Sequence, residues 1–174
     1  MRNNIILTAF LSVTLSVAAF AHEGDVIHVG DEAPNFTATA SDGTSVSLST
    51  HKGNVILLGF FATWCQGCVE ELPRLDREIV AQHKNEGLVV IEVGRGATAS
   101  ELDGFKRRNN FSFMILEDPR RETYTKYATA YIPRFYLIGK DGRVKFTVTG
   151  SGDSDFAELK RRVAQELLSP TARN

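Results

Sequence analysis

The segment Phe61–Pro73, FATWCQGCVEELP, holds the only two cysteines of the chain, Cys65 and Cys68, with two residues between them. The residues ahead of it, Val55–Phe61, form a continuous apolar run, which is typical of a central strand covered on both faces. After the cysteines, apolar residues beginning with Leu72 recur at helical spacing. The cysteine pair is therefore predicted to lie at the turn from a buried strand into a helix.

The rest of the sequence predicts a mixed α/β domain. Leu88–Val93 reads as a second buried strand, so that strand, helix and strand form a βαβ unit, and Pro73 predicts a kink in the intervening helix. Asp42-Gly43 between two alternating stretches predicts a hairpin ahead of this unit. Further elements follow in order: a helix with a capping box at Thr98 and Glu101, a short helix over 121–128, a hairpin turning at Lys140-Asp141-Gly142, and a final helix from about Ser154. We therefore expect a central mixed β-sheet flanked by helices on both faces.

The first 21 residues have the features of a secretory signal peptide. Arg2 precedes an almost wholly apolar stretch, Ile5–Phe20, and Ala19-Phe20-Ala21 predicts cleavage before His22. An uncleaved membrane anchor is the alternative, and in either case the folded part lies outside the cytoplasm. We expect a flexible lead-in over residues 22–32 and one domain over 33–170, because 174 residues with 43% hydrophobic content can bury one core.

The composition and charge limit the classes of partner and cofactor that the protein could bind. A formal net charge of −1 and the lack of a basic run argue against nucleic acid. A zinc site would need two ligands besides the cysteines, and the four histidines show no pairing at ligand spacing. We therefore expect no metal and no organic cofactor.

Three roles compete for the cysteine pair. A structural disulfide over so short a loop would contribute little, because loop-closure stabilisation grows with loop length. A zinc site would lack two of its ligands, because the chain has no other cysteine and no pair of histidines at ligand spacing. In the third role, redox exchange, the thiolate attacks a disulfide, and the start of a helix favours that anion at Cys65 through its free N–H groups and dipole. Cys68 follows one turn later, and a C-x-x-C at a βαβ turn favours this third role.

The segment Phe61–Cys68 resembles the active site of thioredoxin-like proteins. Gly30–Phe36 ahead of the hairpin, Glu70–Pro73 after the cysteines, and Tyr131-Ile132-Pro133 narrow the likeness to the TlpA/ResA group of the AhpC/TSA–thioredoxin superfamily. The resemblance covers about residues 29–168. It implies a thioredoxin fold with an added N-terminal β-hairpin and thiol–disulfide exchange in the periplasm.

The resemblance also implies roles for individual residues. Cys65 would be the exposed nucleophile and Cys68 the resolving thiol. Pro133 would follow a cis peptide bond and face the pair, with Trp64 and Ile132 beside it at the substrate-binding surface. Glu71 matches a glutamate beneath the active site. From the residues alone, an ordinary trans proline at 133 and a solvated acid at 71 stay open.

The sequence departs from the pattern of thioredoxin-like proteins at three positions. Gly59 stands where thioredoxin carries a buried aspartate, so a proton-handling carboxylate must come from elsewhere, with Glu71 the first candidate and Glu92 the second. Gly67 replaces the proline common between the cysteines, and Arg134 replaces the usual threonine after the cis-proline. We expect both of the last two changes to lie at the docking surface.

The sequence thus predicts a periplasmic protein disulfide reductase. Its partners would be a client protein bearing a disulfide and a membrane protein that donates electrons, with the membrane touched only through an uncleaved signal segment. A peroxiredoxin-like peroxidase is an alternative, although Thr63 lies one place too close to Cys65 and Leu58 stands where that class has a proline. Pro133 also takes the position of the arginine with which that class polarises the peroxide, and Arg134 is displaced from it by one residue. A copper chaperone of the Sco type is a further alternative, but such proteins use a wider cysteine spacing and a late histidine, whereas the last histidine here, His83, falls on the predicted first helix.

Overall fold

The computed structural model describes residues 24–170. Its strands and helices are β1 (Thr37–Thr39), β2 (Ser45–Ser47), β3 (Val55–Phe61), α1 (Gln66–Leu75), β4 (Leu88–Arg95), α2 (Ala99–Asn109), β5 (Met114–Asp118), α3 (Tyr124–Tyr127), β6 (Arg134–Ile138), β7 (Val144–Thr149) and α4 (Asp153–Leu168). The predicted signal peptide, residues 1–21, lies outside the described residues. Within residues 24–170, no helix is long and apolar enough to cross a membrane.

Five strands form one mixed sheet in the order β5-β4-β3-β6-β7. β3, β4 and β5 are parallel, whereas β6 runs antiparallel to β3 and β7 antiparallel to β6. Every residue of β3 is buried, as its unbroken apolar run predicts. The predicted mixed sheet is confirmed. The sequence-based prediction missed β5, a five-residue edge strand without polar–apolar alternation that is recognisable only through its pairing with β4.

Helices α1, α2 and α4 cover one face of the sheet. The core on this face joins buried residues of the strands to residues of all three helices: Leu57, Phe61, Cys68, Leu72, Leu102, Phe105, Ile115 and Phe156 among them. The predicted capping box begins α2, because the Thr98 side chain accepts from the Glu101 N–H and the Glu101 carboxylate accepts from the Thr98 N–H. This face carries α1 and therefore the cysteines.

The short helix α3 and the predicted hairpin β1–β2 cover the opposite face. The hairpin packs Phe36, Val46 and neighbouring residues against the buried side chains of the central strands. The Tyr127 hydroxyl of α3 donates to the Pro34 carbonyl at 2.6 Å, which fixes the hairpin to the domain. Helices are thus found on both faces, as predicted, although this face has only one turn of helix.

Helix α1 changes its hydrogen-bonding pattern close to Pro73, where the sequence predicts a kink. Pro73 lies inside α1, and a π-helical turn, Asp76–Val80, continues the helix. In this turn the Ala81 N–H donates to the Asp76 carbonyl five residues earlier. Pro73 itself has no N–H to donate to the Val69 carbonyl four residues earlier, so one bond of the α-helical pattern is missing within α1, ahead of the π-helical turn.

The segment predicted as a flexible lead-in is attached to the domain from Gly24 onward. The Thr129 N–H donates to the Gly24 carbonyl at 2.8 Å, and the Val26 N–H donates to the Tyr127 carbonyl at 2.9 Å. Asp25 forms a buried ion pair with Arg134 at the start of β6. A polar stretch without periodicity gives no sign of this partner, which lies more than a hundred residues further along the chain.

Candidate active site

The cysteine pair lies at the amino end of α1, directly after β3. Cys65 is the N-cap of α1, and Cys68 lies in its first turn, with their Cα atoms 5.3 Å apart and their sulfurs joined in a disulfide. The Cys68 N–H donates to the Cys65 sulfur at 3.3 Å. Cys65 is half-buried, whereas Cys68 is only 1% exposed. Cys65 is therefore the sulfur that a partner protein can reach more easily.

The bond between Ile132 and Pro133 is cis, as the resemblance predicts. Arg134, the next residue, pairs with Phe60 near the end of β3, which places Pro133 at the sheet edge where the cysteine segment begins. The Pro133 carbonyl accepts from the Gly150 N–H at 2.9 Å. Gly150 belongs to the loop that also approaches α1, so the proline and the cysteine helix share one neighbour.

Ser151, in that same loop, is the nearest neighbour of the glycine between the cysteines. An ideal Cβ built on Gly67 would lie 2.9 Å from the Ser151 Oγ, closer than real Cβ contacts come. The family's common proline at this position would meet the same hydroxyl. The sequence shows the departure at Gly67 but not this contact, because Ser151 is brought to α1 only by the fold.

Two exposed aromatic side chains flank the site. Trp64, immediately before Cys65, is 73% exposed, and Tyr131, two residues before Pro133, is 53% exposed. Ile132 is half-buried and Pro133 is buried. Tyr131 has a positive φ of 66°, and its carbonyl accepts from the Tyr124 hydroxyl at 3.0 Å. Tyr131 belongs to the family motif but is not among the predicted site residues, because the sequence does not reveal its exposure.

Glu71 lies on the buried side of α1, with 6% of its surface exposed. Burial raises the pKa of its carboxyl from 4.5 to about 7; the nearby Arg74 charge opposes this rise, and the Asp155 charge adds to it. Its Oε2 has no hydrogen-bond partner among the described residues. The alternative of a solvated surface acid is therefore wrong, while the catalytic role of Glu71 stays a prediction.

A small cleft leads from the surface to Glu71. It has a volume of about 200 Å³ and is lined by Gly67, Glu70, Glu71, Arg74, Ser151 and Asp153. Arg74 pairs with Asp153 at 2.7 Å and with Glu78 at 3.4 Å, and its guanidinium lies 4.2 Å from the centre of the Phe156 ring. The cleft gives the buried carboxyl a route for proton exchange with water.

Glu92 lies on β4 and is fully buried. It pairs in register with Gly59, and an ideal Cβ on Gly59 would lie 2.5 Å from the Glu92 Cδ and closer still to both carboxyl oxygens. Neither oxygen has a hydrogen-bond partner among the described residues. Burial, followed by the charge of Glu71, raises the pKa of Glu92 well above its usual value.

Arg134 does not lie at the docking surface, so that expectation is wrong. Its side chain is fully buried on the face opposite to α1, where it pairs with Asp25 and donates to the Tyr136 hydroxyl. A long side chain on β6 points to one face or the other according to its register, and this register sends it away from the cysteines. Arg134 is thus unable to polarise a peroxide at Cys65, which disfavours the peroxidase alternative.

The metal alternatives gain no site from the structure. Among residues 24–170, no three His, Cys, Asp or Glu side chains come together in a way that could hold a metal ion. His83, expected on the first helix, lies instead in the bend that follows the π-helical turn, and its Nδ1 contacts the Glu86 Oε2 at 2.8 Å.

Comparisons with known proteins agree with this geometry. The model of the AhpC/TSA family matches residues 29–147. The thiol-disulfide oxidoreductase ResA of Bacillus cereus is 30% identical over 146 residues, which cover 84% of this chain and 83% of that protein.

Two solved structures extend the likeness to the fold. A candidate protein disulfide isomerase from Bacteroides thetaiotaomicron has a TM-score of 0.80 and 29% identity, over 84% of this chain and 94% of the other. A candidate thiol:disulfide interchange protein DsbE from Chlorobium tepidum has a TM-score of 0.75 and 28% identity, over 81% and 99%. The thioredoxin-like fold and the resemblance drawn from the sequence are confirmed.

Proposed function

The chain belongs to the AhpC/TSA family, and from this membership we propose that it is a thiol–disulfide oxidoreductase that reduces disulfides in client proteins. One observation carries the proposal: the Cys65–Cys68 disulfide lies at the start of a helix, with one sulfur accessible and the other buried. A purely structural disulfide closing so short a loop would add little stability. Unequal exposure suits two unequal chemical roles.

In the proposed reaction, Cys65 acts first. Its thiolate, favoured by the amino end of α1, attacks one sulfur of the client disulfide. The client S–S bond breaks, a mixed disulfide forms on Cys65, and the first client thiolate leaves and takes a proton from water. This step needs an accessible sulfur, which Cys65 has and Cys68 lacks.

Cys68 then resolves the mixed disulfide. Its thiol passes a proton to the Glu71 carboxylate, and the resulting thiolate attacks the Cys65 sulfur. The second client thiolate leaves and is protonated from Glu71 through water in the cleft. Two electrons have then passed from the dithiol to the client, and the protein holds the Cys65–Cys68 disulfide. A pKa of about 7 suits Glu71 to this exchange near neutral pH.

We assign client binding to the surface around the accessible sulfur. Trp64 is exposed and Ile132 half-exposed there, while the buried Pro133 supports the backbone beside them. Tyr131 adds a second exposed aromatic ring to the same edge. Aromatic side chains supply large contact area at low entropic cost, so this surface suits an extended peptide that carries the target cysteine.

The charges near the cysteines favour electron donation. Strong oxidants stabilise the nucleophilic thiolate, and about 150 mV, or roughly 7 kcal/mol, separates thioredoxin from the oxidant DsbA. Here Gln66 and Gly67 between the cysteines are uncharged, Glu70 follows, and the Arg74 charge is already engaged by carboxylates. We expect a potential below about −180 mV, measured by equilibration with glutathione buffers; a higher value would indicate an oxidase or isomerase.

The predicted signal segment indicates where the protein acts, and the direction of electron flow indicates its second partner. Residues 1–21 read as a signal peptide, and disulfide-bearing clients occur mainly outside the cytoplasm. We therefore place the protein in the periplasm, either free or held by an uncleaved signal segment. A reductase in an oxidising compartment must be reduced again, and a membrane protein that carries electrons across the membrane would serve.

Trapping of clients tests the proposal. Cys68→Ser keeps the nucleophile and removes the resolving thiol, so it should accumulate mixed disulfides that are visible on non-reducing gels. Cys65→Ser leaves a thiol that is 1% exposed and should accumulate none. Equal trapping by both variants, or trapping by neither, would contradict the assigned roles.

A further inference from the structure

Glu92 is a carboxyl group that is completely buried in the domain. Its carboxyl fills the space beside Gly59, in the middle of the sheet. Leu57 and Phe61, on either side of Gly59, belong to the core under α1, so Glu92 lies on the face that α1 covers. No surface of Glu92 is exposed, and both carboxyl oxygens lack hydrogen-bond partners within residues 24–170. An ionised carboxylate in such surroundings would cost many kcal/mol, so the group is neutral in the resting protein.

The groups around Glu92 leave Glu71 as its electrostatic neighbour. The strands beside it contribute Gly59 and Ile115 in register, and the helices over this core contribute mainly apolar side chains such as Leu102, Phe105 and Phe156, together with the non-titrating disulfide. Glu71 on α1 is the titratable group whose charge acts on Glu92. Two charged residues act on Glu71 in turn, Arg74 and Asp155.

The two acids differ in their access to water. Glu71 borders the cleft at the surface, whereas Glu92 lies beneath it with no exposed atom. Glu71 therefore ionises first, and its negative charge then opposes ionisation of Glu92. The pair can carry one negative charge, on Glu71, while the proton on Glu92 stays in place.

We propose that Glu92 is a positioning residue for thiol–disulfide exchange. It is a neutral acid beneath α1 that forms a coupled pair with Glu71 and keeps water out of the buried space at Gly59. This inference rests on the proposed function, since it acts through the base assigned there to Cys68. By filling the space at Gly59, Glu92 excludes water that would otherwise solvate the Glu71 carboxylate. By remaining neutral, it adds no repulsion that would prevent Glu71 from ionising.

Each half of this role has its own consequence. Without the dry filling, the Glu71 carboxylate would be better solvated and a weaker base, less able to take the proton of Cys68. With a second negative charge beneath it, Glu71 would instead stay protonated through neutral pH and could accept nothing. A neutral, space-filling acid avoids both outcomes.

The test follows individual carboxyl groups by NMR in the oxidised full-length protein with ¹³C-labelled glutamate. This readout needs no client and no turnover, so it is independent of the trapping experiment: failed trapping would count against the proposed function, and a failed titration against this inference. The variants are Glu92→Gln, Glu92→Ala and Glu71→Gln, with Glu70→Gln as an exposed control on the same helix. Far-UV circular dichroism confirms that each variant is folded.

Three titration results are expected. In Glu92→Gln the Glu71 midpoint stays near pH 7, because one neutral group replaces another. In Glu92→Ala water enters, and the Glu71 midpoint falls by about one pH unit or more. In Glu71→Gln the Glu92 midpoint moves down, because the charge that opposed its ionisation has gone.

The opposite results would overturn it. A Glu71 midpoint that moves by a full unit in Glu92→Gln would mean that Glu92 is charged in the native protein. An unchanged Glu71 midpoint in Glu92→Ala, or an unchanged Glu92 midpoint in Glu71→Gln, would reduce Glu92 to a packing residue. If Glu92→Ala does not fold, the other two titrations decide: the Glu71 midpoint must stay near pH 7 in Glu92→Gln, and the Glu92 midpoint must move down in Glu71→Gln.

Discussion

Replacing Glu71 with glutamine should change how the stability of the oxidised protein depends on pH. The pKa of Glu71 is about 7 in the folded protein against 4.5 for an unperturbed glutamate. Between these values the folded state binds more protons than the unfolded chain, so folding stability falls as pH rises and the whole penalty is present above pH 7. At about 1.4 kcal/mol per pH unit this amounts to roughly 3 kcal/mol, and water in the cleft reduces it to about 2–3 kcal/mol.

The assay is urea denaturation of the disulfide form at intervals from pH 4 to 9, comparing the wild type with Glu71→Gln. A buried amide has a cost of its own, but that cost is independent of pH and cancels when the slopes are compared. We expect the wild type to lose about 2–3 kcal/mol relative to the variant between pH 4.5 and 7. The exposed Glu70→Gln variant should run parallel to the wild type. Parallel curves for Glu71→Gln as well would show that Glu71 titrates normally, and its role as proton acceptor would be lost.

Three other substitutions test separate parts of the structure by urea denaturation. Asp25→Ala removes one partner of the buried ion pair with Arg134 and should cost about 3–5 kcal/mol; a loss below 1 kcal/mol would mean that the pair is solvated. Thr98→Ala removes the N-cap of α2 and should cost about 0.5–2 kcal/mol, whereas no change would show that the capping box contributes nothing. The change in the free energy of unfolding caused by Gly67→Ala should be about 1 kcal/mol more favourable in a Ser151→Ala background than in the wild type, because the new Cβ then has room. Additive effects of the two changes would argue against that contact.

Most of the fold could be predicted because its local signals agree with its tertiary structure. The apolar run of β3, the Asp42-Gly43 hairpin and the capping box at Thr98 each reflect a constraint that acts within about ten residues. β5 and the attachment of residues 24–32 were not predicted. Both depend on partners far along the chain, and neither short edge strands nor single buried acids have a periodicity that could reveal them.

The active site divides in the same way. The positions of Cys65 and Cys68 follow from a motif and its place after a strand, and the cis bond before Pro133 follows from family resemblance. The side chains on neighbouring strands were harder to place. Arg134 was expected at the docking surface, and only the register of β6 shows that it points to the other face. Glu92 ranks second among the carboxylate candidates because similar proteins often have a neutral polar residue in that strand, and nothing local shows that Gly59 leaves space for it.

Buried charges on the two faces of the sheet differ in a way that separates structure from chemistry. On the face away from α1, Arg134 and Asp25 are buried together, with the Tyr136 hydroxyl bonded to both. Charges satisfied in this way have little reason to exchange protons, and their contribution is to hold the amino-terminal segment in place. On the cysteine face, Glu71 and Glu92 are buried with oxygens that have no partner among the described residues. This burial has a cost in stability that the ion pair on the other face avoids. A fold that needed these acids only for packing would be more stable with apolar side chains of the same size. The burial of both acids beneath the disulfide is therefore better explained by the proposed proton exchange at Glu71, with Glu92 as its neutral neighbour, than by packing alone.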